Sequence, residues 1–79
     1  MAERGKDSAE LVSYLAKAMV SNPDDVNVVI EEDGELLELE TADGDRGRVI
    51  GRQGRVAKAL RAILNATADG ADSRLDIVD

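Results

Sequence analysis

The tetrapeptide Gly51-Arg52-Gln53-Gly54 lies between two apolar pairs, Val49-Ile50 and Val56-Ala57. Apolar flanks belong in a core, so the four residues between them must form a short exposed loop. Glycine at both corners admits backbone angles that a Cβ forbids, and it lets another backbone approach closely. Any fold for this chain must deliver one apolar segment into the core, turn sharply outside it, and return.

The charge of the chain is organised around the same place. Residues 46–61 read Arg-Gly-Arg-Val-Ile-Gly-Arg-Gln-Gly-Arg-Val-Ala-Lys-Ala-Leu-Arg. Arg46, Arg48, Arg52, Arg55, Lys58 and Arg61 are six of the ten basic residues, and no acidic residue occurs between Asp45 and Asp69. The rest of the chain holds all seventeen acidic residues, and the net charge is −7. An acidic chain that gathers its positive charge in one window is built to face something negative there. A helix beginning at about Gly54 adds unpaired amide groups and the positive end of its dipole. Such an end suits a phosphate.

Val49-Ile50-Gly51-Arg52-Gln53-Gly54-Arg55-Val56 resembles the signature loop of a KH domain. That fold clamps about four nucleotides of single strand with its GXXG loop. A bare G-x-x-G is common. The Val-Ile-Gly before it, the arginine inside it and the basic amphipathic helix after it make the likeness specific.

Length and composition bound the rest. Seventy-nine residues make one domain, and a chain this short buries a modest share of its surface. Cysteine and histidine are absent, so disulfides and the usual zinc or iron–sulfur ligands are not expected, and neither is a cofactor. The start of the chain lacks an apolar signal core, and no apolar run has the length of a membrane span. A cytoplasmic protein without a membrane partner is expected. Tyr14 is the one aromatic residue, which argues against binding by base stacking on aromatic platforms. Two to four phosphate contacts on a single strand imply a salt slope of roughly −1.5 to −3.

Taken in order, residues 1–6 are expected to form a flexible tail and 7–79 a single KH domain. A helix should start at Asp7 or Ser8, with Asp7 and Glu10 at capping-box spacing. Leu11, Leu15 and Ala18 share a face, with Val12 and Met19 beside them. The helix should stop before Pro23. Val26–Glu32 reads as a strand, Asp33-Gly34 as a two-residue hairpin turn, and Glu35–Thr41 as the returning strand with Leu37 and Leu39 inward. The acidic residues of this hairpin fit no metal loop and read as a solvated face. Asp43-Gly44-Asp45 is a turn, and Arg46–Ile50 a short helix. Arg55–Ala68 is a second helix, with Val56, Leu60, Ile63 and Leu64 as its buried face. Gly70 should cap it in the left-handed conformation, and residues 74–78 alternate as a third strand.

The element order α-β-β-α-α-β implies an α+β fold with a three-stranded sheet and three helices on one face. The opening helix and hairpin place it with the bacterial, type II arrangement of KH domains. Over residues 8–78 the chain resembles the small stand-alone KH proteins of bacteria, the KhpA (YlqC) family. That resemblance implies single-stranded RNA binding as an RNA chaperone or post-transcriptional regulator. It also implies homodimer or heterodimer formation, pairing with a KhpB-type (Jag, EloR) KH protein, and a link to cell elongation, cell shape and cell wall biogenesis. Position by position, Gly51, Arg52, Gln53 and Gly54 match the phosphate-clamping loop, Val49 and Ile50 the residues that seat it, and Arg55, Val56 and Lys58 the helix that follows.

In the RNA reading, phosphates lie on the loop and base edges meet backbone groups of the second strand at Leu37–Leu39. Two rivals use the same residues. A helix-turn-helix would place Arg55–Arg61 in a DNA major groove but leaves Val-Ile-Gly-x-x-Gly unexplained. A structural adaptor would use the fold only to pair with another protein, and the alanines 59, 62 and 66 are the candidate contact. No enzyme is expected: the serines have no evident base partner, and the glycines fit neither nucleotide-loop pattern.

Overall fold

The computed structural model describes residues 4–78. Helix α1 (Lys6–Met19) leads to strands β1 (Asn27–Glu31) and β2 (Leu36–Glu40). Helices α2 (Arg46–Ile50) and α3 (Arg55–Ala66) follow, and strand β3 (Arg74–Ile77) closes the chain. The strand order is β1-β2-β3. β1 and β2 are antiparallel from Asn27↔Glu40 to Glu31↔Leu36, as a hairpin requires. β2 and β3 are parallel from Leu36↔Arg74 to Leu39↔Ile77. A parallel pair needs a crossover, and α2, the glycine loop and α3 supply it.

Alternation along β2 sends Leu37 and Leu39 into the core, both fully buried, and leaves Glu38 and Glu40 on the opposite face. Leu75 joins them from β3. All three helices pack on this one side, with Val12 and Ala16 from α1, Val49 from α2, and Leu60 and Leu64 from α3. This is the α+β arrangement that the element order implied.

Several local expectations are corrected. The buried face of α1 is Ala9, Val12 and Ala16 rather than Leu11, Leu15 and Ala18. The small residues let the helix lie close to the sheet, Leu15 and Met19 pack at the margin, and Ala18 is exposed. α1 opens at Lys6 behind Gly5, which is buried; residues 1–3 of the expected tail lie outside the described residues. The first amides of α1 are held from across the fold: the Asp69 carboxylate accepts from Asp7 at 3.1 Å and from Ser8 at 3.4 Å.

The β1–β2 connection takes four residues, not two. Glu32, Asp33 and Gly34 have φ of 51°, 56° and 93°. The wider turn tucks Gly34 beneath the preceding chain, where a Cβ would lie 2.6 Å from the Arg4 carbonyl oxygen. α3 ends at Ala66, because Thr67 is extended and returns both its amide (3.1 Å) and its hydroxyl (2.6 Å) to the Leu64 carbonyl. Gly70 is not a left-handed cap. It is glycine because a Cβ would sit 2.5 Å from both Leu64 Cδ1 and Thr67 Oγ1. On α3, Ala57 is buried in place of the expected Ile63, which is 41 % exposed.

Candidate nucleic-acid interface

The approach to the loop is fixed by a buried carboxylate. Asp45 is 2 % exposed. Its oxygens accept the Ser21 amide at 3.1 Å, the Asn22 amide at 2.9 Å and Asn22 Nδ2 at 3.1 Å. Arg48 Nε lies 3.5 Å away. The Ser21 amide, then Asn22 and Arg48, hold the carboxyl below its ordinary pKa, and burial opposes them. This bond set ties the start of α2 to the chain leaving α1.

From there Val49 is fully buried and Ile50 half-buried, so α2 is anchored up to the residue before the loop. The Gly51 amide donates to the Gly47 carbonyl at 2.8 Å. Gly51 has φ 77° and ψ 169°, and a Cβ there would lie 2.5 Å from Val56 Cγ2 and 2.8 Å from the Val56 nitrogen. The glycine permits the two flanks to close on each other. Arg52 and Gln53 are exposed, and Gln53 is left-handed with φ 57°. Gly54, with φ 73° and ψ 17°, caps α3.

The amides available at the loop differ from the expected ones. Those of Gly54 and Arg55 are taken by the Gly51 and Arg52 carbonyls. The amides of Arg52 and Gln53 have no hydrogen bond among the described residues. The loop therefore offers its two middle amides, and the first turn of α3 contains no acidic residue.

The six basic residues separate by their surroundings. Arg46 pairs with Asp43 at 3.3 Å and Arg48 with Asp45 at 3.5 Å. Arg61 turns to the sheet, donating from Nε to the Leu75 carbonyl at 3.1 Å. Arg52, Arg55 and Lys58 are exposed and have no acidic partner among the described residues. Arg55 Nη2 donates to Gln53 Oε1 at 3.3 Å.

The expectation that the backbone of Leu37–Leu39 meets bases is overturned. β2 is the central strand, and its two edges are occupied by β1 and β3. The free edge beside α3 belongs to β3. The Arg74 and Val78 amides bond β2 carbonyl groups at or beside the strand, Glu35 at 2.8 Å and Leu39 at 3.0 Å. By alternation, the peptide groups of Leu75 and Ile77 face outward. A recess of about 360 Å³ opens there, lined by Arg61, Asn65, Ser73, Arg74, Leu75 and Asp76. Asn65 Nδ2 pins its rim by donating to the carbonyls of Gly70 (3.0 Å) and Ser73 (2.9 Å). Sequence reasoning missed Asn65 altogether and placed Arg61 on the basic stripe; no spacing reveals the bonds of Asn65 to the loop five to eight positions on, or that of Arg61 to a strand residue fourteen positions on. Another recess, of about 500 Å³, lies at the opposite sheet edge between α1 and β1, beside Tyr14 and Lys17.

The KH domain of KhpA/KhpB matches residues 9–78 of this chain. The chain belongs to that KH-domain family. Among its relatives is "RNA-binding protein KhpA" of Leifsonia xyli subsp. xyli, 48 % identical over 73 residues, which covers 90 % of this chain and 96 % of the relative. The protein of the same name from Treponema pallidum is 43 % identical over 74 residues, covering 89 % and 92 %. That from Streptomyces coelicolor is 43 % identical over 72 residues, covering 89 % and 90 %. No solved structure matches the chain. In this member of the KhpA/KhpB family the eight expected site residues form one continuous corner. Val49 and Ile50 are seated, Gly51–Gly54 turn outside, and Arg55 and Lys58 are exposed on the helix leaving it. No helix among the described residues is long and apolar enough to cross a membrane.

Proposed function

We propose that this KH domain binds single-stranded RNA at the α2–α3 corner. The observation that carries the reading is the coincidence of two amides without a hydrogen-bonded partner, at Arg52 and Gln53, with three cations without an acidic partner, both among the described residues, in a chain of net charge −7. The relatives' name, RNA-binding protein, agrees with it. Phosphates sit on the middle of the loop, held by those amides and Arg52. Arg55 and Lys58 guide the strand along α3. Gly51 and Gly54 shape the turn, and Val49 and Ile50 fix its base. The strand then runs over the α3–β3 edge. Phosphate contacts position it, and edge contacts select sequence.

As the family resemblance implies, the domain acts in the cytoplasm as an RNA chaperone or post-transcriptional regulator with a KhpB-type partner, in cell elongation and cell wall homeostasis. It is not an enzyme. It also self-associates. Ala59, Ala62, Ile63 and Ala66 are exposed together on α3 at i, i+3, i+4 and i+7, a face suited to close packing of helices. This same face supports the adaptor reading, which can hold beside RNA binding.

The test is a titration of short single-stranded RNA against wild type and the Arg52→Asp, Gln53→Asp double variant at two salt concentrations, with circular dichroism on both. Loss of binding by a folded variant, together with salt-weakened binding by wild type, is expected. Equal binding by both proteins refutes the loop as the site. Tighter binding of duplex DNA than of RNA would favour a helix-turn-helix mode.

A further inference from the structure

The sheet has a second free edge, on β1, and its open peptide groups follow from the bonds between β2 and β3. The Glu35 and Leu39 carbonyls accept the Arg74 and Val78 amides at 2.8 and 3.0 Å, so the odd-numbered residues of β2 turn their peptide groups to β3. By alternation Leu36, Glu38 and Glu40 turn theirs to β1, where their partners are Glu31, Val29 and Asn27. Val28 and Ile30 are left with amide and carbonyl directed at the free edge. Their side chains pack toward the helices. With Ala9 and Tyr14 of α1 they make the apolar part of the recess of about 500 Å³, where Tyr14 is 71 % exposed.

Charge decides what fits this edge. Residues 18–45 hold ten acidic residues and no basic one. On the sheet face away from the helices, Asn27, Val29 and Glu31 of β1 lie beside Glu40, Glu38 and Leu36 of β2. Asp76 and Arg74 follow on β3, and Arg74 is paired with Glu32 at 3.1 Å. On the recess side Glu10 stands between Lys6 and Lys17, so that rim carries little net charge. A second copy would bring one acidic hairpin against another, and RNA would meet the same charge; like charges brought together oppose both. We propose that the β1 edge takes an extended basic segment of a partner protein as a fourth strand, with apolar residues alternating with lysine or arginine. A strand sends successive side chains to opposite faces. The apolar ones enter the recess over Val28 and Ile30, and the cations lie on the other face near Glu31, Glu38 and Glu40. Main-chain bonds supply affinity, and the two faces supply specificity. None of the residues of the α2–α3 corner takes part, so the inference stands apart from the RNA reading.

The experiment is calorimetric titration of the full chain with the capped peptide Lys-Val-Lys-Val-Lys-Val-Lys, followed in parallel by the emission of Tyr14, the one aromatic residue. Saturable binding with a change in that emission is expected. The block peptide Lys-Lys-Lys-Lys-Val-Val-Val has the same composition and should lose most of the binding. Two methylated peptides test the main-chain bonds. In an antiparallel pair the residues that bond Val28 and Ile30 share their face, so N-methyl groups on the valines should abolish binding and those on the inner lysines should not. In a parallel pair the two peptides exchange roles. The Glu31→Lys, Glu40→Lys double variant, checked for folding by circular dichroism, should bind the alternating peptide at least about five-fold more weakly, the scale of one exposed ion pair. It should also bind Glu-Val-Glu-Val-Glu-Val-Glu more tightly than wild type does. No binding of the alternating peptide, equal binding of the block peptide, or equal binding of both methylated forms refutes the proposal. Binding that leaves Tyr14 emission unchanged places the peptide elsewhere and refutes it too.

Discussion

The Asp45 carboxylate accepts the backbone amide of Asn22 at 2.9 Å, across twenty-three positions of sequence. The same carboxylate holds the Ser21 amide at 3.1 Å and faces Arg48 at 3.5 Å. It lies one residue before α2, a helix of five residues that contains Gly47. So short a helix has little intrinsic stability. Its orientation depends on what holds its two ends: Asp45 at the start and Val49 in the core near the finish. The loop that follows inherits its position from both.

Removing the charge of Asp45 should therefore destabilise the fold in a pH-dependent way. The carboxyl is held below its ordinary pKa, chiefly by the Ser21 amide. A depressed carboxyl contributes stability that is complete above its unfolded value, about 3.9, and that disappears as pH falls through the lower folded value. Asp45→Asn should lower the thermal midpoint by several degrees at pH 7. The gap to wild type should shrink steadily below pH 4 as the native carboxyl protonates. A gap of constant size from pH 7 to pH 2.5 would show that the charge of Asp45 contributes nothing.

The two loop glycines should respond differently to substitution. Gly51 combines a positive φ with a Cβ position only 2.5 Å from Val56 Cγ2. Gly51→Ala must both strain the backbone, at about 1–3 kcal/mol, and push α3 away from α2. Gly54 also has a positive φ, but nothing lies within 4 Å of its Cβ position. Its angles are those that asparagine tolerates. Gly54→Asn should cost under about 1 kcal/mol and leave the circular dichroism spectrum unchanged. Chemical denaturation of both variants measures the contrast, and equal losses would contradict it.

Much of this was legible in the sequence because the signals were local. Asp43–Asp45 as a turn, Arg46–Ile50 as a helix and Leu37 with Leu39 as inward positions follow from residues a few places apart. The misses share a different cause. Which face of α1 is buried depends on how closely it approaches the sheet, and Leu11 and Val12 are equally apolar candidates until that distance is set. Gly34 and Gly70 look like turn glycines, and both are also sites of close approach, Gly34 to the Arg4 carbonyl thirty residues earlier and Gly70 to the Leu64 side chain of the helix before it. The reading edge was misplaced because strand order is a property of the whole sheet. Two hairpin-linked strands and a later third do not reveal which one lies in the middle. The loop itself was found from its glycines, but the 3₁₀ turn that consumes the Gly54 and Arg55 amides has no sequence mark.

Burial predicts unequal roles for two aliphatic residues. Leu39 is fully buried and Ile63 is 41 % exposed. Leu39→Ala should cost about 2–5 kcal/mol. A domain of this size has roughly 4–12 kcal/mol in total, so that variant should be partly unfolded at 37 °C. Ile63→Ala should change stability by less than about 0.5 kcal/mol. Ile63→Asp should keep the fold and reduce the mass seen by light scattering if the exposed α3 face joins two copies. Unchanged mass, with wild type a dimer, would move the interface elsewhere.

The N-terminus of α1 gives the last contrast, since two carboxylates compete for the capping role. Asp7 and Glu10 have the spacing of a capping box, yet the helix starts one residue earlier, at Lys6, which moves Asp7 into the first turn. The carboxylate that meets the Asp7 and Ser8 amides is Asp69, sixty-one or more positions away in the loop after α3. Capping of this kind couples two ends of the chain. Asp69→Ala should cost about 1 kcal/mol and speed hydrogen exchange at the first amides of α1. Glu10→Ala should do neither, because the reciprocal bond of a capping box is not formed. If Glu10→Ala accelerates exchange there and Asp69→Ala does not, the local box is the true cap and the long-range bond is incidental.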